Sequence, residues 1–323
     1  MRQRTQDDKP RRVGVEIEFA GLDPEQAARL LARCFGGQCR QSDLYRWQIS
    51  GTQFGDFETE LDTQFVHKDG TPVAAKLERR HAEFSRDMRK MIGTVAETLV
   101  PTEVVAPPIA ISDLPKLDKL TDALRQAGAA DSRDNPFYAF GVHLNPEFAA
   151  PTVDYLLPVL QAYVLLSPWL RSQIDVDFSR RALPHIDPFP SSYVERLVDA
   201  SYRPQLVDLI DDYLAENATR NRELDMLPGF AALDEDRVRA VIDDPRIKPR
   251  PTFHYRLPET RLSDPDWSIM TEWRRWCVVE DLAEDQARLK ELCAAYRQHQ
   301  SDWLAWLAPV IADWRDQYHS KAT

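Results

Sequence analysis

The segment Arg12 to Ala20, RVGVEIEFA, restricts the possible folds more than any other part of the chain. Apolar and charged residues alternate with period two, and Val, Ile and Phe make up the apolar set, the pattern of a β-strand with one buried face. Side chains at i and i+2 share a face of a strand. Val13, Val15, Ile17 and Phe19 therefore go to a core, while Glu16 and Glu18 project together on the opposite side.

The same alternation returns further on. Leu44–Ser50 and Phe54–Thr63 read as two strands of a hairpin turning at Gly51, and the second places Asp56, Glu58, Glu60 and Asp62 on one face. Phe137–Asn145 does the same for His143 and Asn145, and Thr252–Leu257 sets His254 and Arg256 opposite Phe253 and Tyr255. Glu103–Ile109, EVVAPPI, is extended because its prolines fit neither a helix nor a central strand. If these strands share a sheet, their polar faces merge into an acidic surface carrying two histidines and an arginine. Hard divalent cations take oxygen ligands and leave positions for substrate phosphates, which an arginine can also grip. The competing reading is a solvated face of an antiparallel sheet. Such a face usually mixes signs, and these strands lack lysine on the polar side, but periodicity fixes facing and not ligation.

Helical spacing fills the intervals. Asp23-Pro24-Glu25 opens a helix that ends at Gly36-Gly37; another is expected over Ala75–Leu99, and a third from Ser112. Pro151–Gln173 and Pro204–Glu216 read as core helices joined through a polar, proline-rich loop, Asp175–Ser192, and helices over Trp267–His299 and Asp302–Tyr318 close the chain. The expected fold class is α+β: an antiparallel sheet with helices on its apolar side and a helical C-terminal tail. Trp267, Trp273, Trp276, Trp303, Trp306 and Trp314 in that tail fall partly at spacings of three and four, which makes a packed face or, alternatively, a partner-binding surface.

Composition excludes several functions. The net charge of -11 and pI near 5.2 oppose nonspecific binding to nucleic acid, which needs a basic stripe. Cys34, Cys39, Cys277 and Cys293 have no CxxC pairing and read as free thiols in a reducing cytoplasm. The opening MRQRTQDDKPRR is followed by no apolar stretch and reads as a frayed arm; no run of about 18 apolar residues is expected to cross a membrane. GxxxxGK, GxGxxG and GxSxG are all missing. His67, His81, His185 and His299 have no partner at a recognisable spacing, and Arg180 and Arg181 lie in a loop, where solvated arginines are common.

Gly14–Phe19, GVEIEF, resembles the opening strand of the amidoligase family, which is itself similar to glutamate-cysteine ligases and to the glutamine synthetase catalytic domain. Glu103–Pro108 (EVVAPP), Gly141–Asn145 (GVHLN) and Phe253–Arg256 (FHYR) resemble further strands of that family, in the family's order. The resemblance implies a curved antiparallel sheet whose concave face binds ATP and Mg2+ (or Mn2+), phosphorylates a carboxylate and lets an amine displace the phosphate. Carried over by position, Glu16, Glu18 and Glu103 are metal ligands, His143 a metal or phosphate contact with Asn145 beside it, and Arg256 a phosphate-binding cation. Glu60 and Asp62 match an acidic position after the second strand. The segment Asn221–Asp225, NRELD, resembles a polar stretch near the family's active site and brings in Arg222; a helix end with satisfied side chains is a reading of equal weight. His254 departs from the pattern, standing where the family keeps a glutamate; as a neutral ligand it suits manganese or a transition metal better than magnesium.

On this resemblance residues 1-11 are a flexible arm, 12-262 the amidoligase-like catalytic domain and 263-323 a helical extension packed on it. The partners are ATP, a carboxylate and an amine. Two alternatives stay open: a noncatalytic binding module on the same sheet, and a metal-dependent hydrolase that needs no ATP.

Overall fold

Strand β1 (Arg12–Phe19) carries the alternation into three dimensions: Val13, Val15, Ile17 and Phe19 are buried in the core. The computed structural model describes residues 1–61, 100–134, 140–174 and 186–321, with side chains to 314. The helix expected over 75–99, together with Asp62, His67, His81, Arg180, Arg181 and His185, lies outside the described residues.

Helix α1 (Pro24–Phe35) follows β1, and its start is chemically determined. The Asp23 carboxylate accepts the Gln26 N–H at 2.7 Å, and the Gln26 side-chain oxygen accepts the Asp23 N–H at 2.9 Å, a reciprocal cap that satisfies two orphan donors. Then come β2 (Gln38–Asp43), β3 (Arg46–Thr52), β4 (Gly55–Leu61), β5 (Thr102–Val105) and β6 (Ile109–Ala110). A 3-10 turn over Ile111–Leu117 precedes α2 (Asp118–Gln126), so the helix expected from Ser112 begins as the tighter form, with Pro115 inside it. β7 is Val142–Pro146 and β8 is Leu224–Asp225, while β9 is only His254–Tyr255, shorter than the expected strand.

Among the described residues these strands make one sheet of nine, ordered β2-β3-β4-β5-β1-β7-β9-β8, with β6 beside β1. Every ladder in it is antiparallel. The α+β expectation with an antiparallel sheet is met. β2, an exposed polar strand, was not anticipated: Gln38–Asp43 shows no apolar alternation, and its place comes from pairing with β3.

Helices α3 (Val153–Ile174), α4 (Ser191–Val198), α5 (Leu206–Asn217), α6 (Leu227–Leu233) and α7 (Glu235–Val241) fill the second half. By length and composition α3 alone among the described residues could cross a bilayer, but most of it is buried inside the protein. Its Tyr163 ring meets Tyr255 of β9 at 5.8 Å and Trp276 at 6.5 Å, which joins the sheet to the C-terminal helices. The single helix expected over Trp267–His299 is two, α8 (Ile269–Glu284) and α9 (Gln286–Tyr296). The break falls at Asp285, whose carboxylate caps the second helix by accepting the Arg288 N–H at 3.0 Å. In α10 (Trp303–Lys321) the Trp303 indole N–H donates to the Leu165 carbonyl of α3 at 2.8 Å. Trp267, Trp273, Trp276, Trp303 and Trp314 are all buried, which is the packed-face reading.

The first eleven residues touch the rest of the protein at several points. Arg11 is wholly buried: its guanidinium donates to both Glu280 carboxylate oxygens of α8, at 2.8 and 2.5 Å, and to the carbonyls of Glu147 and Arg2, each at 2.7 Å. The terminal amine pairs with Asp281, and Arg2 pairs with Glu284 at 2.8 Å. Hydropathy reads this arginine-rich stretch as solvated because it cannot see the carboxylates that α8 brings from the far end of the chain.

Candidate metal centre

Register brings the polar residues together. Across β1 and β5 Glu18 faces Glu103, across β4 and β5 Glu60 faces Glu103, and across β1 and β7 Glu16 faces His143 and Gly14 faces Asn145. Leu144 pairs with Tyr255 on the apolar side, so His254 and Arg256, which flank Tyr255, share the face of His143 and Asn145. Asp225 pairs with His254.

Glu16 is the hub. Its Oε2 lies 2.9 Å from His143 Nδ1 and 3.9 Å from His254 Nε2; its Oε1 accepts the Asn145 amide N–H at 2.9 Å and lies 3.7 Å from Arg250. Asn145 accepts from Arg250 at 3.0 Å, so it braces carboxylate and guanidinium together. Glu18 accepts the Gly141 N–H at 2.7 Å with one oxygen and turns the other toward His143 Nε2 at 3.7 Å. The two imidazoles meet edge to face, 5.3 Å apart.

Two groups of potential ligand atoms result, Glu16 with His143 and His254, and Glu18 with Glu103 and His143; within each, the donor atoms lie within 4.8 Å of one another. Burial drives the His143 pKa down to about 3, against the raising pull of Glu16 and with help from Arg256 and His254. Burial lowers His254 as well. Glu16 goes the other way: burial opposes ionisation, but the His143 hydrogen bond and the neighbouring His254 and Arg250 groups outweigh it and hold the carboxyl below its ordinary range. At neutral pH this is an anion flanked by neutral imidazoles. With Nδ1–H donated to Glu16, His143 presents a lone pair at Nε2 toward Glu18 and Glu103, the carboxylate–histidine arrangement that prepares a ring for a metal.

Among the described residues, both ring nitrogens of His254 and Asp225 Oδ2 are buried without a partner at hydrogen-bond distance. A buried imidazole left in that state is costly, and a cation would satisfy it. The residues therefore fit a divalent ion with mixed oxygen and nitrogen ligands.

The other expected positions separate. Glu60 shares the row of Glu103 and Glu18, but its carboxylate pairs with Arg46, at 2.6 Å to Nε. Arg256 is buried on the site face and donates to the Arg220 carbonyl. Arg222 is not brought to the cluster: it donates to the carbonyls of Pro188 at 2.7 Å and Glu216 at 3.1 Å, tying a loop to the end of α5. Asn221–Asp225 is not a helix end, since its last two residues form β8 against β9. Asp225 and Arg250 were missed as site residues. Asp225 lay in a segment already singled out, whereas Arg250 sits among prolines with no periodicity to mark it. A concavity of about 570 Å³ between α4 and α5, lined by Ser192, Arg196, Tyr202 and Asp212 among others, shares no residue with the cluster.

Fold and cluster together define an α+β protein with an acidic, histidine-bearing sheet face. A family model described as "putative amidoligase enzyme" matches residues 9–278, and the chain belongs to that amidoligase family. No curated protein and no solved structure matches the chain.

Proposed function

We propose that this protein is an ATP-dependent carboxylate-amine ligase, working in the cytoplasm on a sheet of the glutamine synthetase and glutamate-cysteine ligase type. The observation that supports it best is the pair of ligand groups sharing His143, with Arg250 and Arg256 on the same side, in a chain of the amidoligase family. In the proposed reaction a substrate carboxylate oxygen takes the γ-phosphoryl group of ATP, releasing ADP. The amine nitrogen then bonds to the acyl carbon of the resulting acyl phosphate, inorganic phosphate leaves, and the nitrogen loses a proton to give the amide. Mg2+ or Mn2+, held by Glu16, Glu18, Glu103, His143 and His254, would supply positive charge against the triphosphate. Glu16 fixes the His143 ring through Nδ1, and Asn145 keeps Glu16 and Arg250 in register. Arg250 and Arg256 offer guanidinium groups to the anionic parts of the substrates.

The test is a calorimetric titration with a nonhydrolysable ATP analogue, with and without Mg2+ or Mn2+, on the native protein and on Glu18→Gln. Binding that requires the cation and disappears in the variant at unchanged melting temperature is the expected result. No nucleotide binding with either cation overturns the ligase reading and leaves the hydrolase or the binding module.

A further inference from the structure

His254 and Asp225 form a second buried pair beside the first. His254 Nδ1 lies 3.7 Å from Asp225 Oδ2, and Nε2 on the other side of the ring lies 3.9 Å from Glu16 Oε2. Asp225 is fully buried, and its Oδ1 is already used, accepting the Leu227 N–H at 2.9 Å. That bond holds the carboxylate by one oxygen and leaves Oδ2 on the imidazole side. The three atoms with no partner at hydrogen-bond distance among the described residues, His254 Nδ1 and Nε2 and Asp225 Oδ2, are arranged in series toward Glu16.

The geometry points to Asp225 as the positioning residue that makes His254 a nitrogen ligand and tilts this site toward manganese-like and transition-metal cations over magnesium. The inference rests on the metal reading of the cluster given above. A small movement of the ring closes the Nδ1–H to Asp225 hydrogen bond. The proton is then kept on Nδ1, and the Nε2 lone pair faces Glu16 and His143. The carboxylate that orients the ring also raises the basicity of its ligating nitrogen. Glu16 holds His143 in the same way, so carboxylate–imidazole pairs occur twice: Asp225 with His254 and Glu16 with His143. Imidazole favours later first-row divalent ions, whereas an all-oxygen set is what magnesium prefers.

Asp225→Asn tests this with little change of shape. Its amide oxygen can keep the Leu227 N–H, but its NH2 then faces Nδ1, which must accept. The imidazole proton moves to Nε2, and the nitrogen that faces Glu16 loses its lone pair. The probes are Mn2+, Co2+ and Mg2+ alone, titrated calorimetrically, with the visible absorption of Co2+ as a report on nitrogen ligation. In Asp225→Asn, Mn2+ and Co2+ affinity is expected to fall by about 10–100-fold while Mg2+ affinity shifts much less, and the Co2+ spectrum loses a nitrogen ligand. In a His254→Glu background the same substitution should no longer change the Mn2+ to Mg2+ ratio.

Equal loss for all three cations would mean that Asp225 contributes only charge, and unchanged affinities would mean that it contributes nothing; either overturns the inference. A native protein that binds none of these cations overturns the metal reading as well. Nucleotide binding with Mg2+ together with an indifferent Asp225 overturns the inference alone. If the variant does not fold, nitrogen NMR of the metal-free native protein decides: Nδ1–H on His254 is expected, and Nε2–H contradicts the proposal.

Discussion

Replacing Glu280 by glutamine removes one charge and alters almost no volume, yet the structure makes it a severe change. Three donors converge on this carboxylate: two from Arg11, at 2.8 and 2.5 Å, and the Trp276 indole N–H at 2.8 Å. A glutamine has one accepting oxygen and a donating NH2 where the second oxygen was, so at least one buried donor would face another. Arg11 keeps its two backbone carbonyls but loses its counter-charge with no access to water. Removing one partner of such a buried pair costs about 3–5 kcal/mol. With a melting entropy of about 2.1 cal/mol/K per residue, or about 680 cal/mol/K for 323 residues, that is a fall of about 4–7 °C in Tm. Calorimetric melting is the assay, with limited proteolysis alongside to show whether residues 1–11 come loose first. A shift under about 1 °C, with unchanged proteolysis, would refute the argument, since it would mean that the pair is hydrated in solution and that the N-terminal segment is not anchored by it.

Other outcomes follow from the same contacts. His143 stays neutral down to about pH 3 in the folded protein but takes a proton near pH 6.5 when unfolded, so the unfolded state binds more protons between those values and stability is lost as pH falls through that window. The loss for metal-free protein should reach about 2 kcal/mol at pH 5, read as a falling Tm, and a curve that is flat between pH 7 and 5 would contradict it. All four cysteines are partly exposed and burial raises each thiol, up to about 12 at Cys277 and about 11 at Cys293, so a thiol-reactive disulfide at pH 8 should label Cys34 and Cys39 faster than these two in the native protein. Labelling of Cys277 as fast as Cys34 in the native protein would contradict that order. Gly229→Ala would place a Cβ 2.3 Å from Phe148 Cζ and 2.8 Å from the Thr252 carbonyl oxygen, and should destabilise by about 1–3 kcal/mol; an unchanged melting curve would show that the Phe148 ring and the Thr252 backbone can move aside.

Much of the site was legible because a strand repeats every two residues. That period alone puts Glu16 with Glu18, His143 with Asn145 and His254 with Arg256, and the sheet brings all three pairs to one face. The sequence could not separate Arg222 from Asp225: β8 is only two residues long, and no alternation distinguishes Arg222, turned to the Pro188 carbonyl, from Asp225, turned to His254.

Local chemistry was enough for the class of fold. Alternation in β1, the Asp23 cap of α1 and the helical spacing of α3 are each determined by residues near one another in sequence. It was also enough to show that the polar face is acidic and bears histidine. Which carboxylate serves which imidazole required the folded chain. Glu16 meets His143 across 127 positions, and Arg11 meets Glu280 across 269. The energy of such pairs comes from burial and mutual orientation, which exist only once the sheet has closed and water has been excluded. Neutral imidazoles beside an ionised Glu16, and a buried Arg11 in what reads as a solvated arm, are therefore properties of the packing and not of any segment.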